Sequence, residues 1–203
     1  MYSYIVIERE YGSAGTEIAG KLAEKCNIPC YGREILEELS KRANVSVDKL
    51  EVYEESATGS FLYSLYLMSK VQNGEVDFTD GKGKVYLAEQ KIIKEFANEG
   101  PAVFLGHCAG EALRDRKNVL RVFIHANIDD KKKRISREYG IEPKEIESTM
   151  KKFDRKRSNY YNANTGEKWD NFRNYDVVIN SSTMGVNGAV ELLAGIIGQE
   201  NLS

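Results

Sequence analysis

Short runs of apolar, mostly β-branched residues alternate along the chain with longer segments in which apolar residues recur every three to four positions. The apolar runs predict five strands, at residues 4–8, 29–31, 102–106, 120–126 and 176–180. The amphipathic segments predict helices between them, at residues 15–26, 34–43, 85–98, 129–139, 143–160 and 186–198. This alternation predicts an α/β fold with three layers and a parallel sheet, which binds ligands at the carboxyl ends of its strands.

One region breaks the alternation. Between residues 31 and 102 no strand is predicted, and the chain instead contains an aromatic-rich helical stretch at 61–68 and a polar loop at 72–84. We therefore expect a core of residues 1–31 and 102–203 with a helical insertion at residues 32–101. The insertion is either a lobe that binds the acceptor of a transferred group or a helical hairpin. Such a hairpin would pack on the core or form a dimer surface.

The first predicted strand leads into a loop of small residues and then into a helix, the construction that presents backbone N–H groups to a phosphate. Aligned to the pattern G-x-x-x-x-G-K-[ST], Gly12 and Thr16 suit residues 9–16, but Gly15 stands where the lysine belongs. Thr16 is the candidate hydroxyl ligand for Mg²⁺. The expected phosphate-binding residues are Gly12, Ser13, Ala14, Gly15 and Thr16.

Arg9 is the nearest cation that is able to replace the missing lysine. Its alternative role is that of a surface residue paired with Glu10 or Glu17. The alternative for the loop as a whole is an ordinary turn between a strand and a helix.

Composition limits the classes of function. The 203 residues carry a net charge of −2, which gives no support to a large nucleic-acid surface. The sequence has neither a signal peptide nor an apolar run of membrane-spanning length, so we expect a cytoplasmic protein without a membrane partner. Three cysteines match no disulfide framework, and their spacing around His107 matches no standard zinc pattern.

The second half of the chain carries two clusters of charge. Residues 129–137 open with two aspartates and continue with five basic residues, which predicts either a solvated helix or a lid over phosphates within residues 129–157. Asp154 and Arg157, three positions apart, share a helix face and form either a ligand-binding pair or a surface ion pair.

These pieces together resemble the cytidylate kinase-like family of P-loop kinases. The matching segments follow one another over nearly the whole chain: REYGSAG (9–15), IPCYGRE (28–34), ATGSF (57–61), GPAVFLG (100–106), VFIHA (122–126), the DxxR pair with its following tyrosines (154–161), TGEKW (165–169) and YDVVIN (175–180). The resemblance implies a five-stranded parallel sheet with a monophosphate-binding insertion after strand two and a lid. It also implies ATP as phosphoryl donor, Mg²⁺ as cofactor, and Asp154 and Arg157 as ligands of the acceptor. The lid cations that it implies are Lys133, which would bind the nucleotide phosphates, Arg134 and Arg137.

The chain differs from the family pattern at three positions. His107 stands where the family has an arginine that binds phosphate. Gly32 and Gly110 stand at positions that we associate with acidic residues in the family pattern. Histidine is mostly neutral at pH 7 and is a poorer phosphate ligand than the fixed guanidinium fork. These differences indicate either an altered acceptor site, in which His107 is the third acceptor-binding candidate, or a reduced activity.

Two classes of function remain open. One is a kinase that transfers the γ-phosphoryl group of ATP to a nucleoside monophosphate such as CMP or to another small acceptor, with Arg9, Arg134 and Arg137 stabilising the transferred group. The other is a non-catalytic module that keeps the kinase fold and senses a nucleotide or phosphate. The sequence leaves open the acceptor, the pathway and whether the chain forms a homodimer.

Overall fold

The computed structural model describes residues 2–50 and 82–198. In the helix that begins at residue 82, side chains are described from residue 85 onward. The strands are β1 (Tyr4–Arg9), β2 (Cys30–Tyr31), β3 (Ala102–Leu105), β4 (Val119–His125) and β5 (Val177–Asn180). The main helices are α1 (Gly15–Cys26), α2 (Arg33–Ala43), α3 (Lys82–Glu99), α4 (Ala109–Ala112), α5 (Ile128–Tyr139), α6 (Pro143–Thr165) and α7 (Ser181–Gly198).

The five strands form one parallel sheet in the order β2-β3-β1-β4-β5. The central strand β1 pairs with β3 on one side, from Tyr4 opposite Ala102 to Ile7 opposite Leu105, and with β4 on the other. The order reverses at β1, because the chain moves to one side for β3 and to the other for β4. Such a switch point opens a crevice at the carboxyl ends of the strands, where ligands bind in this class of fold.

The sheet is covered on both faces, which explains why its strands are near-continuous apolar runs. Tyr4 and Val6 face α2 and α3, where they pack with Ile35, Leu39 and Ile92. Ile5 and Ile7 face the other way, toward α1 and α7, and pack with residues such as Ile18, Leu22 and Leu193. The three-layer α/β fold predicted from the sequence is therefore confirmed.

The observed elements differ from the predicted ones mainly at their ends. Helix α3 begins at Lys82, so residues 82–84 are helical where the sequence predicted the end of a polar loop. Helix α6 continues to Thr165, past the predicted end at residue 160, and closes on Gly166 at φ 74°. The stretch α7 is broken at Gly185 (φ 68°, ψ 165°), one residue before the predicted start at residue 186.

Some of the predicted features lie outside the described residues. These are the aromatic stretch 61–68, most of the polar loop 72–84 and the ATGSF segment. At the two borders of the insertion, α2 and α3 pack on the same face of the sheet and share one apolar cluster. Of the helices in the described part of the chain, none has the length and apolar character to cross a membrane.

Candidate active site

The loop after β1 has the backbone of an anion-binding turn. Gly12 adopts φ 77° and Ala14 φ 62°, and α1 begins directly afterwards at Gly15. A Cβ atom on Gly12 would lie 2.9 Å from the side chain of Ile135, so both the positive φ and the close packing require glycine there. The first N–H groups of α1, at Gly15, Thr16 and Glu17, have no acceptor within the helix and are available to an anion.

Within this loop, Ser13 and Thr16 differ in what their side chains do. The Ser13 hydroxyl donates to the carbonyl oxygen of Glu10 (2.8 Å), and its own carbonyl oxygen accepts from the Ser181 hydroxyl (2.7 Å). Ser13 is fully buried and shapes the turn, whereas Thr16 is exposed and lines a cavity of about 280 Å³ over the loop. Thr16 is therefore the hydroxyl in a position to reach a ligand.

Arg9 occupies the space that Gly15 leaves by having no side chain. A Cβ atom on Gly15 would lie 2.5 Å from the Cβ of Arg9 and 2.7 Å from its Cγ. The guanidinium group of Arg9 continues to Gly106 (φ 79°), against which its Nη1 packs. The stem of Arg9 thus packs against the glycine at the lysine position, and its guanidinium group lies beside the end of β3.

Helix α5 lies on the loop through one face. Ile135 packs against Gly12, and Arg134 Nη1 donates to the Gly12 carbonyl oxygen (2.9 Å). Lys131 is buried and forms ion pairs with Glu10 (2.9 Å) and Asp154 (3.6 Å). Sequence reasoning missed Lys131, although Ile135, an apolar residue four positions later, marks the buried face of this otherwise charged helix.

The other two predicted lid cations point to solvent. The Lys133 side chain is 80% exposed and lies 3.7 Å from Asp130, and the Arg137 side chain is 76% exposed and bonded to Glu138 at 2.8 Å. The structure thus brings Arg134 to the loop and leaves Lys133 and Arg137 outside the cavity.

Asp154 and Arg157 share one face of α6 and both contact the loop. Asp154 accepts a hydrogen bond from the backbone N–H of Tyr11 (2.6 Å), and burial raises its pKa despite that bond. Arg157 Nη1 donates to the carbonyl oxygen of Arg9 (2.8 Å). Burial, followed by the positive charge of Arg9, lowers the pKa of Arg157 to about 9, as expected for a cation placed where an anion would be favoured.

A second cavity, of about 360 Å³, adjoins the loop and is lined by His107 among others. Arg157 lies in the walls of both cavities, and so does Arg9. Asp154 is not among the residues that line this second cavity. The structure therefore joins His107 and Arg157 in one space and places Asp154 on the loop side. Among the residues that the structure describes, basic ones dominate the walls of this cavity: Arg9, Arg33, Lys156 and Arg157, against one acid, Glu8.

His107 is held at the end of β3 by two groups of α3. Its Nδ1 lies 3.3 Å from Oε1 of Glu89, and its carbonyl oxygen accepts from Nε2 of Gln90 (3.1 Å). The other carboxylate oxygen of Glu89 accepts a hydrogen bond from the hydroxyl of Tyr160. Glu89 is fully buried. The sequence did not single it out as a site residue, because it lies on α3 inside the predicted insertion and belongs to no recognised motif.

Glu8 is a buried carboxyl group beside the same cavity. It is 5% exposed, and the indole N–H of Trp169 donates to it at 3.1 Å. Burial raises its pKa, and the positive charge of Arg9 is the largest influence in the opposite direction. The apolar pattern of β1 does not distinguish Glu8 as a buried residue.

Glu8 also lines a third cavity, of about 310 Å³. Gly110 lines it, and a Cβ atom there would lie 3.6 Å from Nε of Arg121. This glycine is one of the positions where the family pattern led us to associate an acid. In the part of the chain that the structure describes, no cluster of three or more His, Cys, Asp or Glu residues has a metal-binding arrangement.

Comparison with solved structures shows similarity to an uncharacterized protein from Eubacterium ventriosum ATCC 27560, at 28% identity and a TM-score of 0.72, over 97% of this chain and 99% of that one. The shikimate kinase from Bacteroides thetaiotaomicron is 14% identical with a TM-score of 0.53, over 97% and 98%. The shikimate kinase from Acinetobacter baumannii in complex with shikimate is 11% identical with a TM-score of 0.50, over 100% and 97%. None of the curated proteins matches the chain.

The two shikimate kinases are too distant in sequence to show more than a common fold. The family comparison is decisive, because the model of the cytidylate kinase-like family matches residues 4–183. Family and fold together support a nucleotide-binding phosphotransferase in general. The resemblance found in the sequence is confirmed, and the chain belongs to the cytidylate kinase-like family.

Proposed function

We propose that the chain transfers the γ-phosphoryl group of ATP to a small anionic acceptor bound beside His107. The observation that carries this proposal is that Arg9 and Arg157 line both the loop cavity and the neighbouring cavity. Phosphoryl transfer needs cations at the boundary between donor and acceptor, because negative charge is spread over the transferred group in the transition state. Two arginines at that boundary meet this need without the missing loop lysine.

On the donor side, the backbone N–H groups at the start of α1 would bind the phosphates of ATP. The exposed hydroxyl of Thr16 fits a Mg²⁺ ion that also takes donor phosphate oxygens and waters as ligands. When bound, the ion would neutralise part of the negative charge of the donor phosphates. Arg134 would hold the lid helix on the loop through the Gly12 carbonyl oxygen.

On the acceptor side, the excess of basic residues favours a ligand with a carboxylate or phosphate group. A nucleoside monophosphate such as CMP remains one candidate and another small phosphorylated or carboxylated molecule is the second. The insertion at residues 32–101 as an acceptor lobe, residues 129–157 as a lid and a homodimer remain predictions.

The second candidate function is a sensor that binds nucleotide without turnover. It is favoured by two hydrogen bonds that polar groups of the loop already form within the protein. The Tyr11 N–H donates to Asp154, and Arg134 donates to the Gly12 carbonyl oxygen. A sensor of this kind would bind ATP and release no ADP.

The test is calorimetry with ATP and with CMP in the presence of Mg²⁺, followed by a coupled assay of ADP release. We expect ATP binding and ADP release that depends on an added anionic acceptor. Binding of ATP without ADP release under any acceptor would favour the sensor. Absence of ATP binding would contradict both candidates.

A further inference from the structure

The turn that carries His107 is held in an unusual backbone conformation. His107 has φ 55° and Cys108 φ 51°, directly after Gly106 at φ 79°. Two consecutive residues with side chains in the left-handed region are uncommon, and such strain persists only where the surrounding structure fixes it. Here the fixing group is Gln90, whose amide donates to the His107 carbonyl oxygen. The turn places the imidazole in the wall of the cation-lined cavity.

The imidazole is also oriented by a chain of two buried groups. Tyr160 donates its hydroxyl to Glu89, and the other oxygen of that carboxylate lies 3.3 Å from His107 Nδ1. The Glu89 side chain is 0% exposed and that of His107 is 12% exposed. Burying a chain of polar groups costs free energy unless the groups form hydrogen bonds with one another. Those hydrogen bonds then fix the geometry of the side chains.

This arrangement selects one tautomer of a neutral imidazole. An ionised carboxylate only accepts, so with Glu89 ionised Nδ1 would carry the proton that faces it, and Nε2 would be the nitrogen that takes up a proton. Nδ1 and Nε2 lie on different edges of the ring, so the edge turned away from Glu89 carries the basic nitrogen. A carboxylate behind a histidine is the arrangement that general bases use, because it stabilises the imidazolium formed on proton transfer.

The class of acceptor follows from the need for a base. A phosphate monoester is already ionised at neutral pH, so a nucleoside monophosphate has no proton to lose before it attacks. A hydroxyl group does have one. The basic walls formed by Arg9, Arg33, Lys156 and Arg157 favour an anionic group on the same molecule.

We propose that His107 is the general base of this enzyme, and that the acceptor is a hydroxyl group on a small carboxylated or phosphorylated alcohol. This inference rests on the proposed function and narrows its acceptor. The hydroxyl proton moves to Nε2 while the acceptor oxygen forms a bond to the γ-phosphorus. The bond from that phosphorus to the β–γ bridging oxygen breaks, and ADP leaves with the electron pair. Glu89 and Tyr160 position the imidazole, and the proton passes from His107 to solvent.

The pH dependence of His107 is shaped by every element around the cavity. The carboxylates that face it are Glu89 from α3 and Glu8 from β1. Among the described residues, the remaining titratable and basic groups come from α2, β1, its own turn and α6: Arg33, Arg9, Cys108, Lys156, Arg157, Tyr160 and Tyr161. Glu8 is the competing base, so it needs its own variant in the test.

The first experiment reads the imidazole directly by nitrogen-detected NMR of the full chain. The chain has two histidines, so a His125→Gln background leaves only His107. At pH 8 we expect the tautomer with the proton on Nδ1, and we expect Glu89→Gln to abolish that preference. A proton on Nε2 instead, or an imidazolium that persists at pH 8, would overturn the proposal and make His107 a phosphate ligand.

The second experiment measures phosphoryl transfer from labelled ATP. The probes are shikimate and glycerate as carboxylated alcohols, glycerol 3-phosphate as a phosphorylated alcohol, CMP, and glycerol as a neutral control. We expect transfer to an anionic alcohol, with a rate that rises with pH, and with the carboxylated and phosphorylated probes separating the two kinds of anion. His107→Asn, which tolerates the left-handed backbone, should lower kcat at least about 100-fold and remove the pH dependence with little change in KM.

Two further variants complete the design. Glu89→Gln should shift the rising limb of the pH profile, and His107→Arg should abolish transfer to alcohols while preserving ATP binding. The proposal is overturned if CMP is phosphorylated equally by the wild type and His107→Asn, or if Glu8→Gln rather than His107→Asn removes the limb. If ATP binds and no probe accepts phosphate, the proposed function fails, and the tautomer still decides the chemistry of His107.

Discussion

The loop cavity and the His107 cavity differ in what fixes their polar groups. At the loop, the groups expected to meet phosphate are backbone N–H groups, and their positions follow from the φ angles of Gly12 and Ala14 and from the start of α1. At the His107 cavity they are side chains held by other buried side chains, such as Glu89 behind His107. A backbone site tolerates the loss of one side chain, whereas a side-chain site changes its chemistry with each substitution. Under the proposed function, this difference would explain how a donor loop works without its lysine while the acceptor side is altered.

Arg157 is where the two regions meet, so we expect its loss to have the largest effect. Arg157→Ala removes a cation from both cavities and should lower kcat by about 10²–10³-fold, the range for one group that stabilises transition-state charge. Arg155→Ala is the matched control, because Arg155 lies on the same helix and is exposed. Steady-state ADP release measures both. A loss below about threefold in Arg157→Ala would mean that this side chain does not stabilise the transferred group.

Arg9 tests whether the loop has replaced its lysine. Arg9→Met keeps the packing of the stem over Gly15 and removes the charge, and we expect ATP binding and turnover to fall by about 10–100-fold. Arg9→Lys should recover part of the loss, because charge returns without the guanidinium fork. Calorimetry and ADP release measure the two quantities. Wild-type affinity in Arg9→Met would make Arg9 a packing residue and leave the donor side to the backbone alone.

Glu8 tests how much the acceptor side costs in stability. Burial raises its pKa, so the folded state holds its proton at pH values where the unfolded chain has released it. Stability then falls as pH rises from about 4.5 through the folded pKa, and above that value the whole penalty is present. Glu8→Gln should therefore raise Tm at pH 8, by about 2–4 °C per kcal/mol for a chain of this size, and change it little at pH 4.

The control for Glu8→Gln is Glu167→Gln, which changes an exposed carboxylate and should leave Tm unaffected at both pH values. Thermal melts followed by circular dichroism provide the measurement. An equal gain at pH 4 and pH 8 would show that packing, rather than the charge of Glu8, accounts for the effect.

The same contrast explains what the sequence was able to predict. The strands, the α/β layers and the loop could be predicted because apolar runs and glycine spacing act over a few neighbouring residues. The contacts of the site could not, since Asp154 meets the Tyr11 N–H across 143 positions and Tyr160 meets Glu89 across 71. Helical spacing correctly put Asp154 and Arg157 on one face, but only the fold decides which cavity that face lines.

Helix α5, the proposed lid, gives the smallest expected effects, and it allows side chains at the loop to be compared with exposed side chains of the same helix. Its charges were predicted as one group, yet Arg134 bonds to the Gly12 carbonyl oxygen while Lys133 and Arg137 are 80% and 76% exposed. Salt screens exposed charges and their pairs contribute little, so Lys133→Ala and Arg137→Ala should change ATP affinity and kcat by less than about twofold. Arg134→Ala should weaken ATP binding about tenfold, because it releases the helix from the loop. Calorimetry at two salt concentrations separates the cases: an exposed cation that acted on the phosphates would lose its effect at high salt, whereas that of Arg134 should persist. A strong, salt-sensitive loss in Lys133→Ala would show that this side chain moves into the cavity when ATP binds.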